Sequence, residues 1–398
     1  MQSLRELYKI GRGPSSSHTM GPERAARDFM ARYPAAAEYR VVLYGSLART
    51  GKGHLTDRAL LGVLPADRTK IVFDCSDRPL PHPNTLEIGA YREDGEPLGS
   101  VVYLSVGGGT IREAGAPVCP ADEIYPFRSF AEIRAYCELE QISLGDAAFR
   151  FERPDFGAYL AQIWKSMKET ARRGLTREGM LPGELHIERK APTLYRAYCK
   201  DRTDSKRLIC SYAYATAEEN ASGGVIVTAP TCGASGVLPA VLLYLQEQGG
   251  LSDETILRAL AAAGMVGNVV KTNATVSGAE AGCQAEIGTA TSMAAAAACS
   301  IFGASLETTE YAAEIALEHQ LGLTCDPVCG YVQIPCIERN AVAALRALDS
   351  ADLADVLSGT RKISFDLIVR TMYETGKDLD ARYRETGEGG LASGYKIC

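Results

Sequence analysis

The sequence lacks three features that would indicate particular classes of protein. It has no long run of Lys or Arg, and its formal net charge of −7 does not favour a nucleic-acid partner. The first six residues, MQSLRE, are charged and lack the apolar core of a signal peptide. The most apolar stretches, 223–246 and 259–299, are interrupted by Pro, Lys, Asn and Glu, which favours buried helices over membrane spans. We therefore expect a cytoplasmic protein that binds neither nucleic acid nor a membrane.

Cysteine, by contrast, is abundant. The chain of 398 residues has 12 cysteines, and 46% of its residues are apolar, so it can bury a large core without disulfides. In a reducing compartment, such cysteines are usually small core residues, metal ligands or catalytic thiols. The cysteines therefore have to be sorted by the motifs in which they occur.

The pattern of apolar residues changes along the chain. Short β-branched and aromatic runs separated by Gly, Pro, Asp and Asn predict strands, whereas helix-like spacing occurs at 22–33 and 56–64. The predicted strands are 40–47, 69–75, 85–91 and 99–106. From residue 129 onward the helical period dominates, as in 155–173, 206–220 and 252–264. We predict an α+β protein with a small α/β domain at 1–116, a linker at 117–128 and a larger all-helical domain at 129–398.

Two motifs in the first domain suit the binding of a small ligand. Residues 13–22, GPSSSHTMGP, place hydroxyls, a histidine and backbone amides before a helix, which suits a carboxylate or phosphate, although an ordinary N-cap loop has the same composition. Residues 45–57, GSLARTGKGHLTD, do not have the spacing of a P-loop. His54 in this second motif suits proton transfer. A further histidine, His82 in HPN, could equally be part of a turn.

Two motifs in the second domain suggest a metal site. Residues 271–286 crowd a Lys, an Asn, two acids and a Cys into an apolar segment, where charges are costly to bury unless they are paired or bound. Cys325, Cys329 and Cys336 follow a C-x3-C-x6-C spacing that suits a soft metal and matches no common zinc finger. This local spacing leaves the choice among the cysteines open.

Together the motifs resemble the iron–sulfur L-serine dehydratases (L-serine ammonia-lyases) of bacteria, in their fused single-chain form. The resemblance runs from Leu7 to the end of the chain. It is carried, in order, by GPSSSHTMGP, GSLARTGKGHLTD, HPN, SVGGG, TAPT-x-GASG, K-x-NAT-x-SGAE-x-GCQAEIG, EHQLGLTCDPV, QIPCIERNA and GEGGLA.

The resemblance implies a homodimer that converts L-serine to pyruvate and ammonia. It implies a [4Fe-4S] cluster held by Cys283, Cys325 and Cys336, with one iron left open as a Lewis acid for the substrate hydroxyl. Cys329 is then either a fourth ligand that closes the open iron or, as we favour, a packed thiol. The terminal Cys398 is expected to compete with substrate for the open iron.

The resemblance also implies roles for residues around the cluster. His18, His54 and His82 should face it, with His54 or His82 as the base that removes the α-proton. The remaining assignments are Ser15, Ser17 and Thr19 for the substrate carboxylate, and Lys271, Asn273 and Arg339 for contacts to the substrate or its immediate surroundings.

Other functions stay open at this point. A cluster-dependent L-cysteine desulfidase or a dehydratase that prefers L-threonine would share the same motifs. A pyridoxal-phosphate serine dehydratase is disfavoured because no phosphate-binding glycine loop accompanies Lys271. A non-catalytic metabolite-binding module with redox-sensing cysteines is a further alternative.

Overall fold

The structure is a computed structural model that describes residues 1–116 and 123–395. Its first part, the sheet unit (residues 13–116), contains a sheet with the strand order β3-β2-β4-β5-β6. Strands β2 and β3 are parallel, and the other neighbours are antiparallel. The strands are β2 Glu38–Tyr44, β3 Thr69–Asp74, β4 Thr85–Tyr91, β5 Pro97–Ser105 and β6 Ile111–Glu113, and a separate strand, β1 Ile10–Arg12, precedes the unit.

Three helices accompany the sheet within the described residues: α1 Gly21–Arg32, α2 Gly45–Thr50 and α3 Thr56–Leu61. Alternate residues of β2 are buried, as expected for a strand with one face on a core. The apolar face of α1 packs on that core through Phe29, which is fully buried with Tyr39 and Tyr103. The turn Ser16–Met20, which has π-helical hydrogen bonding, leads directly into α1.

Helices make up most of the second part, the helical unit (residues 123–395). In chain order they are α4 Phe130–Glu140, α5 Leu144–Phe151, α6 Phe156–Thr176, α7 Ala191–Lys200, α8 Ser205–Ala221, α9 Val237–Gly249, α10 Asp253–Asn273, α11 Gly278–Ala281, α12 Thr289–Phe302, α13 Leu306–Glu318, α14 Cys336–Leu357, α15 Phe365–Asp378 and α16 Gly390–Gly394. Several begin at a serine whose hydroxyl accepts from a backbone N–H of the first turn, as Ser252 does for α10.

Helix α12 lies at the centre of the helical unit and packs against α9, α10, α13 and α14. Its run of alanines is buried on every side, because residues without long side chains let neighbouring helices approach closely. The continuous segment Gln284–Phe302 is long and apolar enough, by length and composition, to cross a membrane. However, 78% of its most apolar 18-residue stretch is buried inside the protein. The segment is therefore accounted for as an interior helix.

The chain crosses between the two units near its beginning. Leu4, Leu7 and Tyr8 are buried in the core of the helical unit, where the Tyr8 hydroxyl donates to Leu260 O. Strand β1 pairs antiparallel with β7 Val225–Val227. The helical unit thus includes a short strand that the prediction of an all-helical domain did not contain. The proposed division at residues 116 and 129 stays a prediction.

The predicted α+β class is confirmed, with a sheet near the start and helices after it. The predicted strand 40–47 is wrong at its end, because β2 stops at Tyr44 and α2 begins at Gly45. Gly45 has a φ of +55°, and a Cβ there would lie 2.4 Å from Pro83 O. The chain leaves the sheet at this glycine and continues into α2, the helix that precedes His54.

Candidate active site

An internal cavity lies where the sheet unit meets the helical unit. Polar and sulfur-containing side chains from distant parts of the chain line it: Ser15, His54, Cys283, Glu286, Cys325, Cys336 and Glu385. The predicted cluster cysteines and a predicted catalytic histidine therefore meet in one place. Residues from both units are needed to enclose it.

The three cysteines reach the cavity from different local structures. Cys283 follows α11 and Gly282, whose φ is +74°, and it precedes a turn with π-helical hydrogen bonding, Gln284–Gly288. Cys325 lies in the loop after α13, and Cys336 is the first residue of α14. The Gln284 N–H donates to Leu323 O at 3.1 Å, which ties the first two cysteine segments together. The spacing along the chain therefore says little about the spacing in the cavity.

Arg339 supplies positive charge beside the thiols. It is held by Nη1 donating to Thr324 O at 2.6 Å, with Nη2 3.4 Å from Asp326 Oδ1. A hydrogen bond from Cys325 and the Arg339 guanidinium lower the pKa of Cys283 to about 7, although burial opposes this shift. For Cys325, the hydrogen bond to Cys283 and burial raise the pKa well above its ordinary value. Cys283 is therefore the thiol most readily deprotonated.

The cavity wall also holds Glu286, a residue that the sequence prediction did not single out. Ligand atoms of Glu286, Cys283 and Cys325 lie within 4.8 Å of one another. Burial raises the pKa of Glu286 well above its ordinary value, and negative charge on Cys283 adds to this effect. A Cβ on Gly278 would lie 2.7 Å from Glu286 Oε2 and 3.2 Å from Cys325 Sγ, so this position needs a glycine.

His54 presents one ring nitrogen to the cavity. Its Nδ1 lies 2.9 Å from Thr50 O, so Nδ1 carries the proton that this carbonyl accepts. Its Nε2 lies 3.4 Å from Glu385 Oε1. With Nδ1 protonated, Nε2 is the nitrogen that accepts a proton, and the Glu385 carboxylate beside it is placed to stabilise the protonated ring.

His18 stacks on His54 with ring centroids 4.4 Å apart. The Ser46 hydroxyl donates to Glu385 O at 2.6 Å, so it accepts from Nε2 of His18, 2.9 Å away. Burial lowers the pKa of His18 to about 4, although Glu385 opposes this shift. The other ring nitrogen of His18, Nδ1, lies 3.4 Å from both Ser15 Oγ and Glu385 Oε1.

His82 occupies a different position. Its Nδ1 accepts from the Asn84 N–H at 3.0 Å, and its Nε2 donates to Glu280 Oε1 at 2.9 Å. His54 lines the cavity, whereas His82 is not among the described residues that do. Of the two candidate bases, the geometry favours His54.

The serine-rich loop meets the cavity through Ser15. Its hydroxyl accepts from the His18 N–H at 3.1 Å, and its backbone N–H donates to Thr19 Oγ1. Thr19 Oγ1 in turn donates to His54 O at 2.8 Å. Ser17 is buried, and its carbonyl accepts from the Ser105 hydroxyl. Of these residues Ser15 lines the cavity, whereas Thr19 connects the loop to His54.

Two predicted substrate contacts lie elsewhere. Lys271 Nζ donates to Glu6 O at 3.0 Å, and the Asn273 side chain donates to Arg128 O at 2.6 Å. Both stand in the last turn of α10, which faces the beginning of the chain and the end of the predicted linker. The structure therefore does not bring them to the cysteines. The polar groups of both side chains donate hydrogen bonds to backbone carbonyls instead.

Of the two remaining cysteines with a predicted role, Cys329 is among the described residues and Cys398 is not. Cys329 is exposed, so its interpretation as a packed thiol is wrong. It has a φ of +52° in the turn Val328–Gly330, and this turn presses on Gly53, where a Cβ would lie 2.5 Å from Gly330 O. Cys398, the predicted tail ligand, lies outside the described residues.

Glu385 is a second site residue, after Glu286, that the sequence prediction missed. It is 5% exposed, and one oxygen of its carboxylate faces both His18 and His54. Burial alone would raise the pKa of Glu385, but the two histidines outweigh it and lower this pKa. The available signal was an acid just before the GEGGLA motif, but Glu388 within that motif is an equally good candidate from the sequence.

Comparisons with known proteins give the family. The family model for the serine dehydratase alpha chain matches residues 112–392, and the model for the beta chain matches residues 3–67. The chain belongs to the serine dehydratase family. An L-serine dehydratase of Streptomyces coelicolor is 41% identical over all of this chain and 99% of the relative. L-serine dehydratase 1 of Escherichia coli is 39% identical over 98% of this chain and 99% of the relative. As a serine dehydratase of this family, the chain carries both the alpha and the beta parts in one polypeptide.

Proposed function

We propose that the chain is an L-serine dehydratase that converts L-serine to pyruvate and ammonia with a [4Fe-4S] cluster as its cofactor. The convergence of Cys283, Cys325 and Cys336 with His54 in one cavity carries this proposal. The choice of L-serine as substrate rests on the two relatives named above. Both are L-serine dehydratases, and their similarity extends over nearly the full length of this chain.

The residues around the three thiols fit an iron–sulfur cluster. Thiolates are the usual ligands of such clusters, and Arg339 beside Cys283 favours the deprotonated form. The glycine at 278 leaves the space next to Cys325 Sγ free of a side chain. When bound, a cluster with three protein ligands supplies an open iron, a Lewis acid that binds the substrate hydroxyl and eases its departure as hydroxide.

His54 is the base in this proposal. His54 lines the cavity, and the hydrogen bond to Thr50 O keeps a proton on Nδ1, so that Nε2 is the nitrogen that can accept one. Removal of the α-proton by Nε2 and loss of the β-hydroxyl leave aminoacrylate. This product tautomerises to an imine, which water hydrolyses to pyruvate and ammonia. Because elimination and hydrolysis transfer no electrons, the reaction needs no oxidant.

Ser15 and the loop behind it hold the substrate in this proposal. Ser15 lines the cavity together with His54, and its hydroxyl is suited to a hydrogen bond with the substrate carboxylate. Thr19 connects the backbone of this loop to the carbonyl of His54. The binding group and the base are therefore held at a fixed spacing, which favours a productive orientation.

Anaerobic purification followed by a pyruvate assay tests the function. We expect a brown protein with about four irons per chain that makes pyruvate from L-serine. Parallel assays for 2-oxobutyrate from L-threonine and sulfide from L-cysteine separate this activity from the two related ones. An anaerobically reconstituted protein with its iron in place and no activity on L-serine would contradict the proposal. A pyridoxal absorbance band would indicate a different cofactor.

We also propose that the protein is a cytoplasmic homodimer, as its resemblance to the family implies. Sedimentation equilibrium of the anaerobic protein measures the mass directly, with 42.6 kDa expected for a single chain. A mass of one chain at micromolar concentration would contradict the dimer.

A further inference from the structure

The segment that carries Glu385 runs between the two units. We call Tyr383–Leu391 the C-terminal strap. On one side it is bound to the cysteine loop: the Cys325 N–H donates to Tyr383 O and the Glu385 N–H donates to Cys325 O, both at 2.8 Å. Further along, the Leu391 N–H donates to Asp326 Oδ2 at 2.7 Å. The strap is thus held on the same loop as a predicted cluster ligand.

On its other side the strap is bound to the sheet unit. The Ser46 hydroxyl donates to Glu385 O, and Arg49 Nε lies 3.0 Å from a carboxylate oxygen of Glu388. The Glu385 side chain extends in the same direction, with Oε1 3.4 Å from both His18 Nδ1 and His54 Nε2. Glu385 is therefore in contact with the histidine pair and with Cys325 at the same time.

The backbone of Glu385 makes this arrangement unusual. Its φ is +58°, a left-handed conformation that favours glycine and disfavours residues with a Cβ. Such a conformation persists where surrounding contacts determine it, and it is found more often at functional sites. A glycine would relieve the strain but would lose the carboxylate contacts to the two histidines.

We propose that Glu385 is a positioning residue that fixes the ring of His54 at a set distance from the cysteine pocket. Its main chain is hydrogen-bonded to Cys325, and its carboxylate contacts His18 and His54. A shift on either side is therefore transmitted to the other through one residue. This inference rests on the proposed function for the role of His54, but the contacts themselves do not depend on it.

The test compares Glu385→Gln with Glu388→Gln in the full-length, anaerobically reconstituted protein. The control changes the same residue type in the same strap, at an exposed position outside the cavity. We expect Glu385→Gln to lower kcat for L-serine by about 100-fold with KM changed by no more than about threefold, as for a base held in the wrong position. Glu388→Gln should match the wild type in both constants.

Two readouts besides activity separate positioning from general damage. Iron per chain should stay at the wild-type level in Glu385→Gln. The chain has five histidines, so 15N labelling of histidine gives a spectrum simple enough to assign with a His54→Gln variant. The ring signals of His54 should shift in Glu385→Gln and stay unchanged in Glu388→Gln.

Two further variants test the inference if Glu385→Gln does not fold. Glu385→Gly suits the left-handed backbone, so it should melt at or above the wild-type temperature and still lose kcat. Glu385→Asp keeps a carboxylate and should recover part of kcat.

Wild-type kcat with unshifted His54 signals in Glu385→Gln would overturn the inference. So would loss of iron in parallel with kcat, which indicates a purely structural strap. If instead the iron-loaded wild type is inactive on L-serine, the proposed function fails. The histidine spectra then still decide whether Glu385 positions His54.

Discussion

The histidine side and the cysteine side of the cavity are built in opposite ways. On the histidine side, nitrogens of His18 and His54 are fixed by Ser46 and Thr50 O, and the two rings stack on each other. On the cysteine side, the thiols contact each other and a guanidinium, and the pKa of Cys283 falls to about 7. One side is organised by protein hydrogen bonds, whereas the other offers several soft ligands to a common centre.

Under the proposed function, this difference corresponds to a division of roles. A base needs a fixed orientation and a free lone pair, which hydrogen bonds to the remaining nitrogen provide. A cluster needs thiolates and space, which a nearby cation and a glycine provide. The two sides come from different units, and Glu385 connects them. The following predictions test this contrast in order of decreasing effect.

The largest effect should come from the three cavity cysteines. Changing Cys283, Cys325 or Cys336 to Ser removes a soft ligand, so we expect loss of most bound iron and a fall in activity of at least about 1,000-fold. Cys329→Ser is the matched control. Because Cys329 is exposed, this variant should keep both its iron and its activity. Iron and acid-labile sulfide per chain are the direct measurements. Iron loss in Cys329→Ser but not in Cys283→Ser would favour the local C-x3-C-x6-C trio.

The two candidate bases should differ in their effect on kcat. His54→Gln removes the proton-accepting Nε2, so we expect kcat to fall by about 100- to 10,000-fold with iron retained. His82→Gln removes the contact with Glu280, and about a tenfold loss is expected, since His82 is not among the described residues that line the cavity. Steady-state kinetics on iron-matched samples decide between them. A larger loss in His82→Gln would reverse the assignment.

Burial of neutral His18 should make stability depend on pH. Its pKa is about 4 in the folded protein and 6.5 in the reference state, so the unfolded chain binds the extra proton. The free energy of unfolding should therefore fall by about 3 kcal/mol as the pH decreases from 6.5 toward 4. Urea unfolding of the iron-free protein across this range measures the slope. His18→Gln should show a flatter profile, and an equal slope in both would contradict the assignment.

The smallest effect on catalysis is expected from Lys271. Burial lowers the pKa of Lys271 to about 8, and its ammonium donates to Glu6 O rather than to a group in the cavity. Lys271→Met should therefore leave kcat within about twofold and alter the melting temperature by a few degrees. Kinetics and thermal unfolding of the same sample separate the two effects. A loss of kcat comparable with that of His54→Gln would place Lys271 back in the site.

The sequence predicted the local elements better than the distant contacts. The α10 cap at Ser252 and the strand 85–91 follow from hydrogen bonding and side-chain period, which depend on neighbouring residues. The meeting of Cys283 with Cys325 came from the resemblance and not from spacing. The contact of Lys271 with a backbone carbonyl was not predictable, because a charge in an apolar segment has the same pattern whether a ligand or a backbone carbonyl satisfies it. Nothing local distinguishes Glu385 from Glu388.

The contact between Ser46 and Glu385 joins residues 339 positions apart. During synthesis on a ribosome, the histidine loops and later the cysteines emerge before the strap that connects them. A nascent chain therefore exposes cysteine thiols before the strap is available to hold the two units together. Because Glu385 contacts both the histidine pair and Cys325, the arrangement described above forms only after the strap has docked between them.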